Sequence, residues 1–216
     1  MLIFALAALM GAVAGLVLGG RFAALAEFRL RMPAVVWAAL GMQITFGLAP
    51  LRSLPEGLRF GFVVTSYAMV GAWLALNGII GRAVPMRAAF GLLAAGWLLN
   101  LVVMVPNGGM PVSAAALADS GAPPGLDVEE GHLWKHVELS ASTELPALAD
   151  VVAVPALGGA VSVGDVVMVV GLAGAVAAGM VGGPLRPNQM GVQASWWRPM
   201  RSPRGRRAAA REAALR

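Results

Sequence analysis

The chain has 216 residues, of which 58% are hydrophobic and 12% are charged, and it contains no cysteine. A soluble domain of this size usually has about 25% charged residues. The composition therefore excludes an ordinary soluble globule and a disordered chain, and it predicts a multi-pass membrane protein. The lack of cysteine excludes disulfides, Cys-based zinc sites, thiolate haem ligation and a cysteine nucleophile.

Five apolar segments are long enough, or nearly so, to cross a bilayer, which requires about 20 mostly apolar residues. They cover residues 2–20, 34–51, 60–81, 88–105 and 166–181. The last is short and must recruit flanking residues, which places Asp165 near its membrane entrance. We predict an all-α fold, with a five-helix membrane domain over residues 1–183. Residues 106–165 form an extracytoplasmic cap between the fourth and fifth helices, and residues 184–216 form a basic, flexible tail.

Charge is segregated along the chain. Residues 186–216 carry eight Arg and one Glu, whereas residues 106–165 carry eight acidic residues and one Lys. The positive-inside rule then places the N-terminus and the cap outside, and the tail and the Arg-containing loop 21–33 in the cytoplasm. The predicted location is the plasma (inner) membrane.

The basic tail predicts contact with anionic lipids of the bilayer. A nucleic-acid arm is the alternative for this tail, but it lacks a folded scaffold, so we expect no nucleic-acid partner. Another membrane protein is a further candidate partner.

Small residues recur along the first apolar segment, at Gly11, Gly15 and Gly19. This small-xxx-small spacing permits close helix contact. It favours packing within the chain, with a dimer seam as the alternative. The following RFAALAEFRLRMP, residues 21–33, has apolar residues at helical spacing among arginines. It predicts a short helix lying in the membrane interface, ended by Pro33.

A polar turn follows the fourth apolar segment at Asn107, Gly108 and Gly109. Glycines allow backbone conformations closed to other residues, and an Asn can satisfy backbone groups freed at a helix end. Asn100 lies seven residues earlier, on the same predicted helix face. The pattern fits a helix cap with a turn, or a loop that folds back to line a polar substrate cavity.

Two aspartates flank the start of the fifth segment. Ser162 and Asp165 have the spacing of a capping box, in which each side chain bonds the other residue's backbone N–H. An acid at membrane depth is also a functional candidate. Asp150 lies in an apolar stretch, and Asp150 with Asp165 could form a catalytic pair that shares a proton and activates water.

A possible metal pattern lies in LDVEEGHLWKHVEL, residues 126–139, which could form a short helix. Glu129, His132 and His136 would share one face of it. Metal-binding bundles use such Glu-x-x-His motifs with partners from other helices. The single copy leaves the site incomplete, so we predict no metal and no cofactor.

Two resemblances extend this interpretation. VVMVPNGGMPV (102–112), LADVVAVP (148–155) and SVGDVVMVVG (162–171) resemble an uncharacterised family of bacterial multi-pass membrane proteins, annotated only as a domain of unknown function. That resemblance implies a membrane protein and no particular activity.

The entry of the fifth segment is also faintly similar to that of prolipoprotein signal peptidases, which are intramembrane aspartyl proteases. Asp165 would take the place of their second catalytic aspartate and Asp150 that of the first. Gly164 stands where that family has Ala, and Asp150 lacks the flanking Asn and Arg. Two functions follow as hypotheses: a non-enzymatic scaffold, assembly factor or partner-binding subunit, or an intramembrane aspartyl hydrolase.

Overall fold

The structure is a computed structural model that describes residues 2–46, 55–79, 83–122 and 136–182. The chain divides into two units, Met1–Gly182 and Gly183–Arg216. The second unit lies outside the described residues, and so do the predictions made for the basic tail.

Seven helices and four short strands make up the described residues. The helices are α1 (Leu2–Val17), α2 (Phe22–Glu27), α3 (Pro33–Phe46), α4 (Glu56–Ile79), α5 (Val84–Asn107), α6 (Ala114–Asp119) and α7 (Val163–Val181). The strands are β1 (Met110–Val112), β2 (His136–Glu138), β3 (Val152–Val154) and β4 (Gly159–Val161). The fold is therefore mostly helical, as predicted.

Three helices of the described residues are long and apolar enough to cross a membrane: Gly57–Gly78 in α4, Val84–Asn107 and Val163–Val181. They correspond to the third, fourth and fifth predicted segments. The first two segments also form apolar helices, but α1 and α3 are shorter than a usual span. Residues 47–51 of the second segment lie outside the described residues.

Helix α7 lies between α1 and α5 and touches both at glycines. A Cβ atom on Gly11 would come within 2.8 Å of the Ala173 Cα atom. On the other side of α7, a Cβ atom on Gly171 would come within 2.6 Å of the Leu93 backbone nitrogen. Contacts this short require glycine, because any side chain would push the two helices apart. Gly11 therefore packs within the chain, as expected.

Gly15 packs against Met180 in the same seam, whereas Gly19 behaves differently. It lies beyond the end of α1, has φ of +79°, and would meet nothing within 4 Å if it carried a Cβ atom. Gly19 is thus a turn residue rather than the third member of the packing stripe, since α1 ends at Val17.

The cap between α5 and α7 departs from the all-α prediction. Strand β1 pairs in parallel with β2, and β3 pairs with β4 in an antiparallel hairpin. Asp150 forms a parallel bridge to Val112, on the side of β1 away from β2. Pro and Gly interrupt long helices in the cap, whose described regular elements are short: α6 and the four three-residue strands.

Helix α2 confirms a short helix after α1, but it ends earlier than predicted. Its last residue is Glu27, and Phe28 already has extended backbone angles. The chain then turns through Met32, which has φ of +47°, before α3 begins at Pro33. Pro33 therefore starts the next helix instead of stopping this one, as expected of a proline in a first helical turn.

Candidate functional site

Asn100, Ser162 and Asp165 form a closed hydrogen-bond network where α7 begins beside α5. The Ser162 hydroxyl donates to Asn100 Oδ1 at 2.9 Å, and Asn100 Nδ2 donates to Asp165 Oδ1 at 2.9 Å. The Asp165 N–H donates to Ser162 Oγ at 3.0 Å, and the Ser162 N–H donates to Asp165 Oδ2 at 3.2 Å. The last two bonds are the predicted capping box.

This network lies about two helical turns before the last residue of α5. Asn100 precedes the last residue of α5 by seven positions, or about 10 Å of helix at the usual rise. A Cβ atom on Gly164 would lie 2.7 Å from the Gly96 carbonyl oxygen. Glycine at both positions therefore lets the first turn of α7 reach Asn100. Ser162 is fully buried and Asn100 is 4% exposed, so each polar atom needs its partner.

Asn107 holds the cap to the end of α5. Its Nδ2 donates to the Val103 carbonyl at 2.7 Å and to the Glu144 carbonyl at 2.9 Å. Its Oδ1 accepts from the Glu144 N–H at 2.9 Å. The two asparagines expected on one helix face thus serve different partners: Asn100 contacts α7, and Asn107 contacts the cap.

The turn after Asn107 uses both of its glycines. Gly108 has a left-handed backbone with φ of +71°, and its N–H donates to the Met104 carbonyl. The Gly109 N–H donates to the same carbonyl at 3.1 Å. This turn reverses the chain into β1, as the cap-and-turn interpretation predicted. Through Glu144, Asn107 joins this turn to a described part of the cap.

Asp150 lies at the junction of the cap and the helices and is 5% exposed. Its N–H donates to the Pro111 carbonyl at 2.9 Å, and its own carbonyl accepts from Ser113 N–H at 3.0 Å. Its Oδ2 lies 3.5 Å from His136 Nε2. His136 is opposite Met110 on β1, whereas Asp150 is opposite Val112, two residues along the strand. Alternate strand residues share a face, which explains why these side chains meet.

The contact between His136 and Asp150 was not predicted, because the two residues are far apart in sequence and share no motif. The segment 126–139 was expected to form a helix, but residues 136–138 form β2, so that prediction is wrong for the described part. Glu129 and His132 lie outside the described residues. Among the residues that are described, no group of three or more His, Asp or Glu side chains could hold a metal ion.

Tyr67 is a further polar residue in this part of the structure. It lies on α4 and packs against the apolar cluster of Val63, Val103, Met104 and Met110 under the cap. Its phenol interacts electrostatically with both Asp165 and Asp150. Its ring also stacks on Trp97, with centroids 6.4 Å apart. Sequence reasoning missed this residue, because a single Tyr in an apolar helix carries no motif.

The structure defines a predominantly helical protein with membrane-type helices and a small polar site where the cap meets them. The chain belongs to a family of unknown function, DUF5317, which it matches over residues 27–177. That match confirms the resemblance to an uncharacterised family, and it covers the cap, α4, α5 and α7 as far as residue 177. Comparisons with curated proteins and with solved structures found no match.

Proposed function

We propose that this protein is a non-enzymatic component of the bacterial inner membrane: a scaffold, assembly factor or partner-binding subunit. The observation that carries the proposal is the use of Asp165 within the fold. One carboxylate oxygen accepts from Asn100 and the other from the Ser162 N–H. A general acid or base needs an oxygen within hydrogen-bond reach of its substrate. The bonds of Asp165 within the chain stabilise the start of α7 and its contact with α5, which favours a structural role.

Five spanning helices are part of this proposal, and the packing of the two short helices supports them. Helix α1 runs along α7 at Gly11 and Gly15, so it shares the depth of a helix long enough to cross. Helix α3 packs along α4, where Gln43 Nε2 donates to Ser66 Oγ at 3.3 Å. Large apolar side chains on both short helices are exposed, including Val13 and Trp37, as expected of lipid-facing surfaces.

The orientation can be tested with single cysteines, since the chain has none of its own. Ser142→Cys places a thiol in the cap, and Arg204→Cys places one in the tail. With a membrane-impermeant maleimide, we expect labelling of Ser142→Cys in intact cells and of Arg204→Cys only after lysis. The reverse pattern would show that the N-terminus faces the cytoplasm.

The second candidate function is an intramembrane aspartyl hydrolase that uses Asp150 and Asp165. The position of Tyr67, whose phenol is in electrostatic range of both carboxylates, favours it. In addition, His136 Nδ1 is buried and has no hydrogen-bond partner among the described residues. A buried polar atom of this kind is a position where a water or a ligand could donate.

One experiment separates the two candidates. A peptide with a hydroxyethylene group mimics the tetrahedral intermediate of aspartyl proteolysis, and its binding to the purified protein is measured by calorimetry. The melting temperatures of Asp150→Asn and Asp165→Asn are measured in parallel. We expect no binding, and a lower melting temperature for Asp165→Asn. Binding that both variants abolish at an unchanged melting temperature would overturn the non-enzymatic proposal.

A further inference from the structure

The chain between α2 and α3 is held rigidly against the helices at the end opposite the cap. We call residues 28–32 the arginine loop; it contains Phe28, Arg29, Leu30, Arg31 and Met32. Its first residue packs into the apolar cluster of Leu74, Met86 and Phe90, on α4 and α5. The loop therefore begins at a fixed point on the helix bundle.

Asn77 and Trp73 of α4 fix the other end of the arginine loop. The Arg31 N–H donates to Asn77 Oδ1 at 2.8 Å, and Asn77 Nδ2 donates back to the Arg31 carbonyl at 3.1 Å. Trp73 Nε1 donates to the same carbonyl at 2.9 Å. Asn77 is fully buried, and its side chain holds the backbone of this loop against α4. We call these three hydrogen bonds the clamp.

The preceding residues are anchored as well. The Arg21 N–H donates to the Met180 carbonyl at the end of α7 at 3.0 Å. Leu25 of α2 lies against Gly179, where a Cβ atom would come within 2.9 Å of the leucine Cδ2. Helix α2 and the arginine loop therefore cover the ends of α4, α5 and α7 as one layer.

In the arginine loop, the backbone of Arg31 and the side chain of Phe28 face the helices. The arginine side chains are on the outer surface. Arg29 and Arg31 are exposed, and Arg21 and Arg87 are exposed beside the same helix ends. Large apolar side chains stand among these arginines: Leu30 is 39% exposed, and Met32 is 62% exposed. Arginine beside exposed apolar side chains is the pattern of a surface at a membrane interface, where guanidinium groups meet phosphates and apolar groups enter the acyl region.

We propose that the arginine loop is a binding site for the headgroup of an anionic phospholipid, with Arg29 and Arg31 contacting its phosphate. A guanidinium presents several N–H donors in a planar fork that matches phosphate oxygens. The clamp by Asn77 and Trp73 sets both arginines at the end of a helix long enough to cross the membrane, which is the depth of the headgroups. Holding the loop in place before binding lowers the entropy lost on binding.

The test uses the absence of cysteine, which lets one introduced thiol report on this loop alone. The full chain with Leu30→Cys carries a fluorophore and is placed in phosphatidylcholine nanodiscs. A brominated lipid, either phosphatidylglycerol or phosphatidylcholine, is added at the same low mole fraction as quencher. We expect brominated phosphatidylglycerol to quench several-fold more strongly, which shows local enrichment of the anionic lipid.

Matched variants assign the effect to the loop or to the tail. Arg29→Gln/Arg31→Gln should remove most of the enrichment, because each arginine near an anionic surface contributes about fivefold. Arg201→Gln/Arg204→Gln removes the same charge from the tail and should leave the enrichment at Leu30→Cys largely intact. Arg29→Lys/Arg31→Lys keeps the charge and should retain part of it. Far-ultraviolet circular dichroism should be unchanged in all three, since the clamp uses the backbone of Arg31.

Three results would overturn the proposal. Equal quenching by the two brominated lipids would show no enrichment. If the tail variant loses the enrichment and the loop variant keeps it, the effect belongs to the tail. Displacement of the lipid by inorganic phosphate, but not by chloride at equal ionic strength, would indicate a site for free phosphate. None of these results bears on whether Asp165 is catalytic, so the proposed function is tested separately.

Discussion

Helix α7 makes close contact with two neighbours, and the two contacts are built differently. Against α1, the described contact depends on Gly11 and Gly15, which let backbones approach. Against α5, glycines at 96, 164 and 171 do the same, but Asn100 adds hydrogen bonds to the first turn of α7. Small residues let two helices come close without selecting one register between them. Hydrogen bonds between specific side chains do select one register. The hydrogen bonds of Asn100 therefore fix the register of α7 against α5, whereas the described α1–α7 contact depends on close packing alone.

The largest expected effect comes from filling the α5–α7 seam. In Gly164→Ala, the new methyl group would meet the Asn100 side chain and the Gly96 carbonyl oxygen. We expect the free energy of unfolding to fall by about 3 kcal/mol, because overpacking adds to the loss of the hydrogen bonds. SDS titration in mixed micelles measures it.

Gly91→Ala is the matched control, since Gly91 lies in α5 and a Cβ atom there would meet nothing within 4 Å. It should leave stability unchanged or raise it by about 0.5 kcal/mol, because alanine is the better helix former. A loss in Gly91→Ala as large as in Gly164→Ala would refute the steric explanation.

Filling the α1–α7 seam should cost less. Gly11→Ala would bring a methyl group against the backbone of Ala173. We expect a loss of about 2 kcal/mol, since overpacking acts here without an added polar loss. The same titration measures it, and Gly41→Ala on α3 is the control, because a Cβ atom there is free of contacts. A loss above that of Gly164→Ala would reverse the proposed ranking of the seams.

The directional part of the α5–α7 seam can be isolated by a double-mutant cycle. Asn100→Ala and Asp165→Ala are made singly and together, and stability is measured for all four proteins. We expect a coupling energy of about 1 to 1.5 kcal/mol, the usual value for neighbours in one hydrogen-bond network. Additive effects, with no coupling, would mean that Asp165 acts only as the cap of α7.

The smallest effect is expected where Asn107 joins α5 to the cap; we call its hydrogen bonds to Glu144 the latch. Asn107→Ala removes three hydrogen bonds, two of them to the backbone of Glu144. These groups lie near the surface and water can replace the asparagine, so we expect a global loss of about 0.5 kcal/mol. Hydrogen exchange should rise at the Glu144 amide and leave the α5–α7 seam protected. Faster exchange across α7 as well would show that the latch stabilises the whole bundle.

Local patterns in the sequence were sufficient for several of these features. The Ser162–Asp165 spacing predicted a capping box because that motif depends on four consecutive residues. Gly108 predicted a left-handed turn because only backbone conformation is involved. The glycine spacing of α1 predicted close packing, although it could not name α7 as the partner. The helix positions followed from apolar runs, since a long apolar segment has few alternatives to a helix in lipid.

The strands of the cap were not predictable in the same way. Each has three residues and carries no clear alternation, so its pairing depends on segments far away in sequence. His136 meets Asp150 only because β1 lies between β2 and the bridge at Asp150. A helix over 126–139 was a reasonable prediction from local propensity, and tertiary pairing overrode it at residues 136–138.

By itself, the sequence determined that this is a mostly helical, membrane-type protein whose last two long helices are separated by a long polar segment. Hydrophobicity and capping are properties of adjacent residues, and a chain carries them wherever it folds. Only the tertiary structure decided what the polar side chains do: Asn100 holds α7, Asn107 holds the cap, and Asn77 holds the arginine loop. These partners lie 37 to 65 residues away along the chain. No local rule reaches that far, because such contacts exist only after the helices have packed.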